Sequence, residues 1–216
     1  MIKNIGKHFK TICIHKYYVF KYCKAAGIPW RGIKHDLSKL SPVEFFESAK
    51  YYQGTSSPID ACKKENGYSL AWQHHKGRNT HHYEYWQDNF DKGGTPLQMP
   101  FDDALEMLCD YLGAGHAYMG KDFTYLGELK WWLNKNQNPL AMHPQTRLFI
   151  SDMLYILAQA ENLNICHISG IIKVFAKKTY EKANNAIKAQ SGCYFDNEHF
   201  KNYIKKNISM ITGEVL

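Results

Sequence analysis

Histidines are the residues of this sequence that most clearly indicate chemistry. Eleven are present in 216 residues, and the segment "HHKGRNTHH" contains four of them, His74, His75, His81 and His82. Neutral imidazole is a good ligand for zinc, iron and manganese, and two helix ends that meet at a short loop can bring several imidazoles to one ion. An exposed histidine-rich turn is the alternative. We take His75, His81 and His82 as candidate metal ligands, and the sequence leaves open which member of each pair turns inward.

A second pattern is the adjacent pair His35 and Asp36, in the segment "GIKHDLSKLSP". Neighbouring side chains on a helix point about 100° apart, so both can reach one ion only at a helix edge that other helices close. His15 lies on the apolar stripe of the first predicted helix and is expected to face inward. The alternatives are a hydrogen-bonded core histidine at 15, and a packed histidine beside a surface aspartate at 35 and 36.

Two carboxylates, Glu106 and Asp110, lie four residues apart on the polar side of a strong helical pattern. On an isolated helix such a pair is destabilising by about 0.2–0.5 kcal/mol, and a nearby cation would reverse the sign. Gly113 and Ala117 continue the same face and leave room for another group to approach. A solvent-facing acidic patch is the alternative to a site in which Asp110 binds an ion.

The spacing of apolar residues predicts helices along almost the whole chain. The first ends before Gly27, and another ends near His75. A short helix is expected over "HHYEYWQDNF", and longer ones are expected near 101–119, 123–136, 144–161 and 168–190. No alternating strand pattern of useful length is present, so the sequence predicts an all-α protein.

The segment "SPVE" predicts the start of one of these helices. Ser41 would be the N-cap, Pro42 would occupy the first helical position, and Glu44 follows the cap by three residues. This is the pattern of a capping box, in which the glutamate reaches back to the backbone N–H of the cap. We therefore favour a capping role for Glu44 over a catalytic one.

The length and the charge distribution predict one domain with an extension. We place a helical domain over residues 1–165 and a lysine-rich helical extension over residues 166–216. The net charge is +7, and the chain from residue 171 onward has eight lysines and four acids. These lysines are interpreted either as a solvated helix face or as a contact for a phosphate-rich partner such as nucleic acid.

Cysteine spacing and hydropathy suggest the compartment. The six cysteines are scattered and form no CxxC pair, as is typical of thiols in a reducing environment. No signal peptide is visible, and no stretch approaches the ~18 apolar residues that cross a bilayer. We expect a cytoplasmic protein with no membrane partner.

The order of the candidate residues resembles that of the HD superfamily, a group of helical, metal-dependent phosphohydrolases named for an adjacent His-Asp pair. The segment "HDLSK" is similar to the family's "HDIGK" type of sequence, with Leu-Ser in place of Ile-Gly. The glycine-tyrosine-proline signature of its cyclic-dinucleotide hydrolases is absent. Within the superfamily, the chain looks most like an uncharacterised bacterial and phage branch. The matching pieces, within roughly residues 10–160, are "RGIKHDLSKLSPVEF", "HHKGRNTHH" with the following "EYW", and "MPFDDALEMLCD".

The resemblance implies an HD-domain-like helical bundle with a C-terminal extension, and a site for one or two divalent ions. The implied metal ligands are His15, His35, Asp36, His75, His81, His82 and Asp110. Manganese, iron or zinc suits imidazoles and carboxylates better than magnesium does. Asp36, Lys39 and Glu106 would take part in catalysis, with Lys39 holding phosphate and Glu106 orienting an imidazole or carrying a proton. The implied activity is hydrolysis of a nucleotide or another small phosphoester by a metal-activated water.

Two other functions compete with this one. A catalytically silent HD-like protein would bind or sense nucleotides without turnover. A nucleic-acid-binding helical protein would use the lysines after residue 171, and its binding would weaken steeply with salt.

Overall fold

A computed structural model describes residues 2–136, 141–164 and 167–189, and in these residues the prediction of an all-α protein is confirmed. The helices are α1 (Ile2–Ala26), α2 (Pro29–Lys34), α3 (Pro42–Tyr51), α4 (Pro58–Asn66), α5 (Leu70–Lys76), α6 (Phe101–Met119), α7 (Tyr125–Lys135), α8 (Pro144–Asn162) and α9 (Ile168–Ala189). The strands β1 (Gln87–Asp88) and β2 (Thr95–Pro96) form a minimal antiparallel pair, with Gln87 opposite Pro96. Among the described helices, none is long and apolar enough to cross a membrane.

The chain forms two compact units. The first is made of the described residues of Met1–Tyr85 together with Glu106–Phe123, and the second of those of Trp86–Leu105 together with Thr124–Leu216. All the candidate ligands belong to the first unit. The predicted domain limits, 1–165 and 166–216, stay a prediction.

Two glycines let helices of the first unit approach α1 closely. A Cβ atom on Gly32 of α2 would lie 2.8 Å from the Cβ of Cys23 and 2.9 Å from the Cα of Phe20. A Cβ atom on Gly113 of α6 would meet the side chain of Val19 and lie 3.0 Å from its backbone nitrogen. Any other residue would push these helices apart, because packed interiors do not absorb added atoms without strain. The glycines therefore set the distance between α1 and the two helices whose residues join His15 in the site.

In the second unit, side-chain hydrogen bonds link elements that are distant in sequence. The indole nitrogen of Trp132 on α7 donates to the hydroxyl of Ser151 on α8 at 2.8 Å. The hydroxyl of Tyr180 on α9 donates to the backbone carbonyl of Met99 at 2.6 Å. These bonds join α7 to α8, and α9 to the segment before α6, so the lysine-rich helix packs within this unit.

Two of the predicted elements are wrong in detail. The helix predicted to end near His75 is two helices, because Gly67 adopts a left-handed φ of 80° that ends α4, and the side chain of Ser69 then caps α5. The segment "HHYEYWQDNF" contains a three-residue 3-10 turn, Tyr83–Tyr85, followed by β1. His81 and His82 therefore lie in the loop before that turn and do not begin a helix.

The predicted capping box is also wrong, although α3 begins where it was expected. Ser41 is the N-cap and Pro42 opens the helix, but the Ser41 hydroxyl makes no capping hydrogen bond. Glu44 does not reach back to Ser41, because its carboxylate binds the rings of His74 and His75. The residue assigned to the cap thus belongs to the histidine cluster.

The close approach at Gly113 can be tested with Gly113→Ala. Overpacking a well-packed core costs roughly 1–3 kcal/mol, so we expect urea unfolding to show lower stability despite the higher helix propensity of alanine. Gly6→Ala on α1 is the matched control, because an added Cβ at Gly6 meets no atom within 4 Å. It should be neutral or stabilising by up to about 1 kcal/mol. Equal stability of the two variants would contradict the packing argument.

Candidate metal centre

The turn after α2 aims two adjacent side chains at the same place. His35 ends α2, and its backbone N–H bonds to the carbonyl of Arg31 at 2.7 Å. Asp36 then adopts a left-handed conformation with φ 55°, which aspartate tolerates better than most residues. Because the chain leaves the helix here, the two side chains do not diverge as they would on a continuous helix. Both are buried, and Asp36 has no exposed surface.

The two oxygens of the Asp36 carboxylate face different histidines. Oδ2 lies 3.3 Å from Nε2 of His15 and 3.2 Å from Nε2 of His35. Oδ1 lies 3.2 Å from Nε2 of His75 and 3.4 Å from Nε2 of His81. Asp36 is therefore shared between two pairs of imidazoles.

Asp110, on α6, joins the first of these pairs. Its Oδ1 lies 3.1 Å from Nε2 of His15 and 3.2 Å from Nε2 of His35. The predicted position of Asp110 on the polar side of this helix is thus a position inside the site. The carboxylates of Asp36 and Asp110 repel each other unless protons or a cation at the imidazoles between them supply positive charge.

Three groups of side chains have the composition and spacing of metal ligands: the set His35, His81 and Glu106, and two four-residue groups that share Asp36. Of these two ligand groups, one is His15, His35, Asp36 and Asp110, and the other is Asp36, His75, His81 and His82. Within each group, one possible ligand atom from every residue lies within 4.8 Å of the others. The described residues can therefore hold a metal ion in either of the two ligand groups, and Asp36 belongs to both.

Two further carboxylates contact the Nδ1 edge of these imidazole rings. Glu106 accepts from Nδ1 of His35 at 2.9 Å and lies 3.2 Å from Nδ1 of His81, and Glu44 accepts from Nδ1 of His75 at 2.7 Å. A carboxylate on the second ring nitrogen fixes the tautomer and orientation of a ligating histidine. This arrangement turns the Nε2 lone pairs of all three rings towards Asp36.

That geometry is unfavourable without a positive charge. Nε2 of His75, Nε2 of His81 and Oδ1 of Asp36 are buried, and none has a hydrogen-bond partner among the described residues. With protons on Nδ1, lone pairs would face each other across 3.2–3.4 Å. Unpartnered buried polar atoms cost free energy. A metal ion between them, or protons on Nε2, removes this cost.

Burial and charge act in opposite directions on the pKa values here. Burial lowers the pKa of His35, but the charge of Asp36 and hydrogen bonds to the acids outweigh it and raise the pKa well above the usual range. Burial raises the pKa of Asp36, but the charges of His35 and Lys39 hold it well below its usual range. Burial together with His81 and His75 lowers the pKa of His82, which keeps that ring neutral and able to bind a metal.

Acids outnumber fixed cations around the cluster. Asp36, Asp110, Glu44 and Glu106 are all buried. Two fixed cations contact these acids, and a third, Lys16, contacts the backbone beside them. Lys39 lies with its Nζ 2.5 Å from Oδ2 of Asp36, Arg31 binds Glu106 at 2.8 Å, and Lys16 donates to the backbone carbonyl of His35. The remaining negative charge favours an added cation.

The structure distinguishes the members of the histidine pairs. His75 is buried and faces Asp36, whereas His74 lies on the outer side of Glu44 at 2.5 Å and keeps 22% of its side chain exposed. His81 faces Asp36 directly, and His82 joins the same group of possible ligands. Sequence reasoning missed Glu44, because its position after Ser41 and Pro42 had an ordinary explanation as a cap. It also missed Arg31, which fixes the second oxygen of Glu106.

A protein-family model described as "Family of unknown function (DUF5662)" matches residues 4–156 of the chain. That span includes every residue of the two ligand groups. No curated protein matches the chain, and no solved structure does.

Glu44 provides a test of how the histidines are oriented. Glu44→Gln should lower the affinity for manganese or zinc by about 10–100-fold, because His75 would lose the carboxylate that orients its ring. The measurement is isothermal titration calorimetry on protein first treated with a chelator.

Glu47→Gln is the matched control on the same helix. Glu47 also has a hydrogen-bonded carboxylate, but its partners are Ser69 and the first backbone N–H groups of α5. This variant should lose stability and keep its metal affinity. Equal metal affinities for the two variants would show that Glu44 has no orienting role.

Proposed function

We propose that the chain, which belongs to the family of unknown function DUF5662, is a metal-dependent phosphohydrolase of the HD type. The observation that carries the proposal is the position of Asp36 between two sets of imidazoles, with one carboxylate oxygen facing each set. A carboxylate shared in this way suits a pair of ions. Phosphoester hydrolysis is the chemistry for which paired ions bridged by a carboxylate are well suited.

The residues of the site divide by role. His15, His35 and Asp110 would hold one ion with Asp36, and His75, His81 and His82 would hold a second. Ions held there would supply a water of lowered pKa and would stabilise the charge that develops at phosphorus. Glu44 and Glu106 orient the imidazoles, so the proposed role of Glu106 is in positioning and not in proton transfer.

Lys39 is the residue we assign to the phosphate. Its side chain is about a third exposed, at 32%, while its ammonium group reaches the buried Asp36. Burial lowers the pKa of Lys39, but the charges of Asp36 and Asp110 raise it above its usual value, so the side chain stays cationic. An ammonium group held here can bind a non-bridging phosphate oxygen and stabilise its charge in the transition state.

The ligand chemistry favours some metals over others. Imidazole nitrogens and carboxylate oxygens together suit manganese, iron or zinc, whereas magnesium prefers oxygen ligands and keeps several waters. The two ligand groups contain five histidines and two aspartates. We therefore propose manganese, iron or zinc as the resident ions.

The two competing functions make different predictions. A silent nucleotide sensor would keep the metal and bind its ligand without turnover. A nucleic-acid-binding protein would depend on the exposed lysines of α9, among them Lys173, Lys177 and Lys178, and on lysines beyond residue 189 that lie outside the described residues. The buried ligand groups favour a metal-dependent function over nucleic-acid binding, which does not require them, and turnover distinguishes the hydrolase from the sensor.

Hydrolysis can be tested with a generic phosphoester such as bis-p-nitrophenyl phosphate or p-nitrophenyl phosphate, in the presence of manganese. Wild-type protein should turn over at least one of the two. Asp36→Asn should reduce the rate to background, because the residue shared by both ion sites loses its charge. Asp60→Asn on the exposed face of α4 is the matched control and should keep the wild-type rate.

Lys39→Gln separates phosphate binding from metal binding. It should retain the metal measured by elemental analysis and lower kcat by about 100-fold or more, as expected for loss of one charge-stabilising donor. Turnover that is equal in wild type and Asp36→Asn would indicate a contaminating phosphatase. Metal-loaded wild-type protein with no turnover of any phosphoester would favour the sensor.

A further inference from the structure

A pocket of about 330 Å³ lies beside the metal centre, in the first compact unit. Its inner wall includes His35, His81 and Glu106, which are also residues of the cluster. The volume is at the lower end of the range for small-molecule sites, about 300–1,000 Å³. It accommodates one small ligand.

The rim of this pocket is basic. Arg31, Lys34 and Arg78 line it, and Glu106 is the acid among its lining residues. Both oxygens of Glu106 are engaged, one with Arg31 at 2.8 Å and the other with the ring nitrogens of His35 and His81. The negative charge of Glu106 is therefore already offset by Arg31 and by the two imidazole rings. Three cations and one acid line the pocket, so the excess of positive charge favours an anion as occupant, and guanidinium groups match phosphate geometry especially well.

A large aromatic residue completes the rim. Trp30, at the start of α2, is 73% exposed although its neighbour Arg31 is half-buried. An indole in contact with water beside a basic pocket is a stacking platform for a flat ring. Stacking of a nucleobase on an aromatic side chain contributes about 1–3 kcal/mol.

The loop on the opposite side of the pocket is held in place. The side-chain amide of Asn79 donates to the hydroxyl of Ser38 at 2.9 Å and to the backbone carbonyl of His75 at 2.8 Å. The backbone N–H of Asn79 also bonds to the carbonyl of His75, at 3.1 Å. Arg78 and Thr80, which line the pocket on either side of Asn79, are thus attached to the same turn that presents His75. A site with fixed walls binds more tightly, because less ordering is needed on binding.

We propose that this pocket binds a single nucleotide, with its phosphate on Arg31, Lys34 and Arg78 and its base against Trp30. The pocket would then hold a nucleotide beside the metal centre, and any role of this nucleotide in the reaction at that centre rests on the proposed hydrolase function. Binding itself does not rest on it. The inner wall places a bound phosphate next to His35 and His81, on the Nδ1 side that Glu106 contacts. Asp36 and Lys39 do not line the pocket, so this phosphate position is separate from the one assigned to Lys39.

The test is equilibrium binding to the full chain, measured by calorimetry in the presence of a chelator, so that turnover cannot contribute. The probes are AMP, inorganic phosphate, adenosine and a single-stranded oligonucleotide of ten adenosines. AMP should bind more tightly than adenosine or phosphate alone by 10-fold or more, because it engages both the cations and the ring.

Two variants assign the contacts. Lys34→Gln combined with Arg78→Gln should weaken AMP binding by 10-fold or more, and Trp30→Ala should weaken AMP but leave inorganic phosphate unchanged. Lys24→Gln, an exposed lysine of α1, is the matched control and should bind like wild type. These exposed positions lie outside the ligand groups, so each variant should bind manganese as wild type does. Unchanged manganese binding also serves as the check that each variant is folded.

The outcomes separate the two proposals. AMP binding that depends on these residues, without turnover of AMP after manganese is added, supports the pocket and contradicts AMP as a substrate of the metal centre, whereas the hydrolase is tested separately with the p-nitrophenyl esters. Turnover with unchanged AMP binding in the double variant contradicts the pocket alone. Binding of the oligonucleotide but not of AMP, or no AMP binding at millimolar concentration, also overturns the pocket.

Discussion

A fully buried carboxylate surrounded by imidazoles is the constraint on which the first unit depends. Asp36 has no exposed surface, and the Nε2 atoms of four histidines lie within 3.4 Å of its oxygens. Desolvating a charge costs several kcal/mol unless opposite charge is supplied nearby. The surrounding residues supply it only in part, because two outer acids, Glu44 and Glu106, hold the Nδ1 side of the rings. A divalent ion on each side of Asp36 would supply the remaining positive charge.

Close packing of the helices brings the residues of this cluster together. Gly32 and Gly113 allow α2 and α6 to approach α1, so residues far apart in sequence share one buried volume. The left-handed turn at Asp36 then directs two consecutive side chains inward. A conformation of this kind in a non-glycine residue is seldom found without a reason in the surrounding structure. Here the reason is that the turn brings both His35 and Asp36 to His15, and His35 also to Asp110.

The sequence is sufficient to predict the helices and most residues of the cluster, and the physical reason differs from one element to the next. The helix α6 was predicted at Phe101–Met119, since its apolar repeat is long and uninterrupted. His15 was placed inward from its position on an apolar helical face, whereas Asp110 was placed on the polar side of its helix and taken as a candidate ligand, and the structure groups both with Asp36. In contrast, the roles of Glu44 and His74 depend on a contact between α3 and α5 that no local pattern encodes. The 3-10 turn after His82 was also missed, because a segment rich in aromatic residues satisfies a helical pattern as readily as a loop.

The most direct measurement is anomalous X-ray diffraction from crystals of the full chain grown with manganese, with data collected on both sides of the metal absorption edge. We expect two anomalous peaks, one between His15, His35, Asp110 and Asp36 and one between His75, His81, His82 and Asp36. A single peak at either group would show that Asp36 does not bridge two ions. No peak near Asp36 in crystals grown with millimolar manganese would contradict the metal centre and, with it, the proposed hydrolysis.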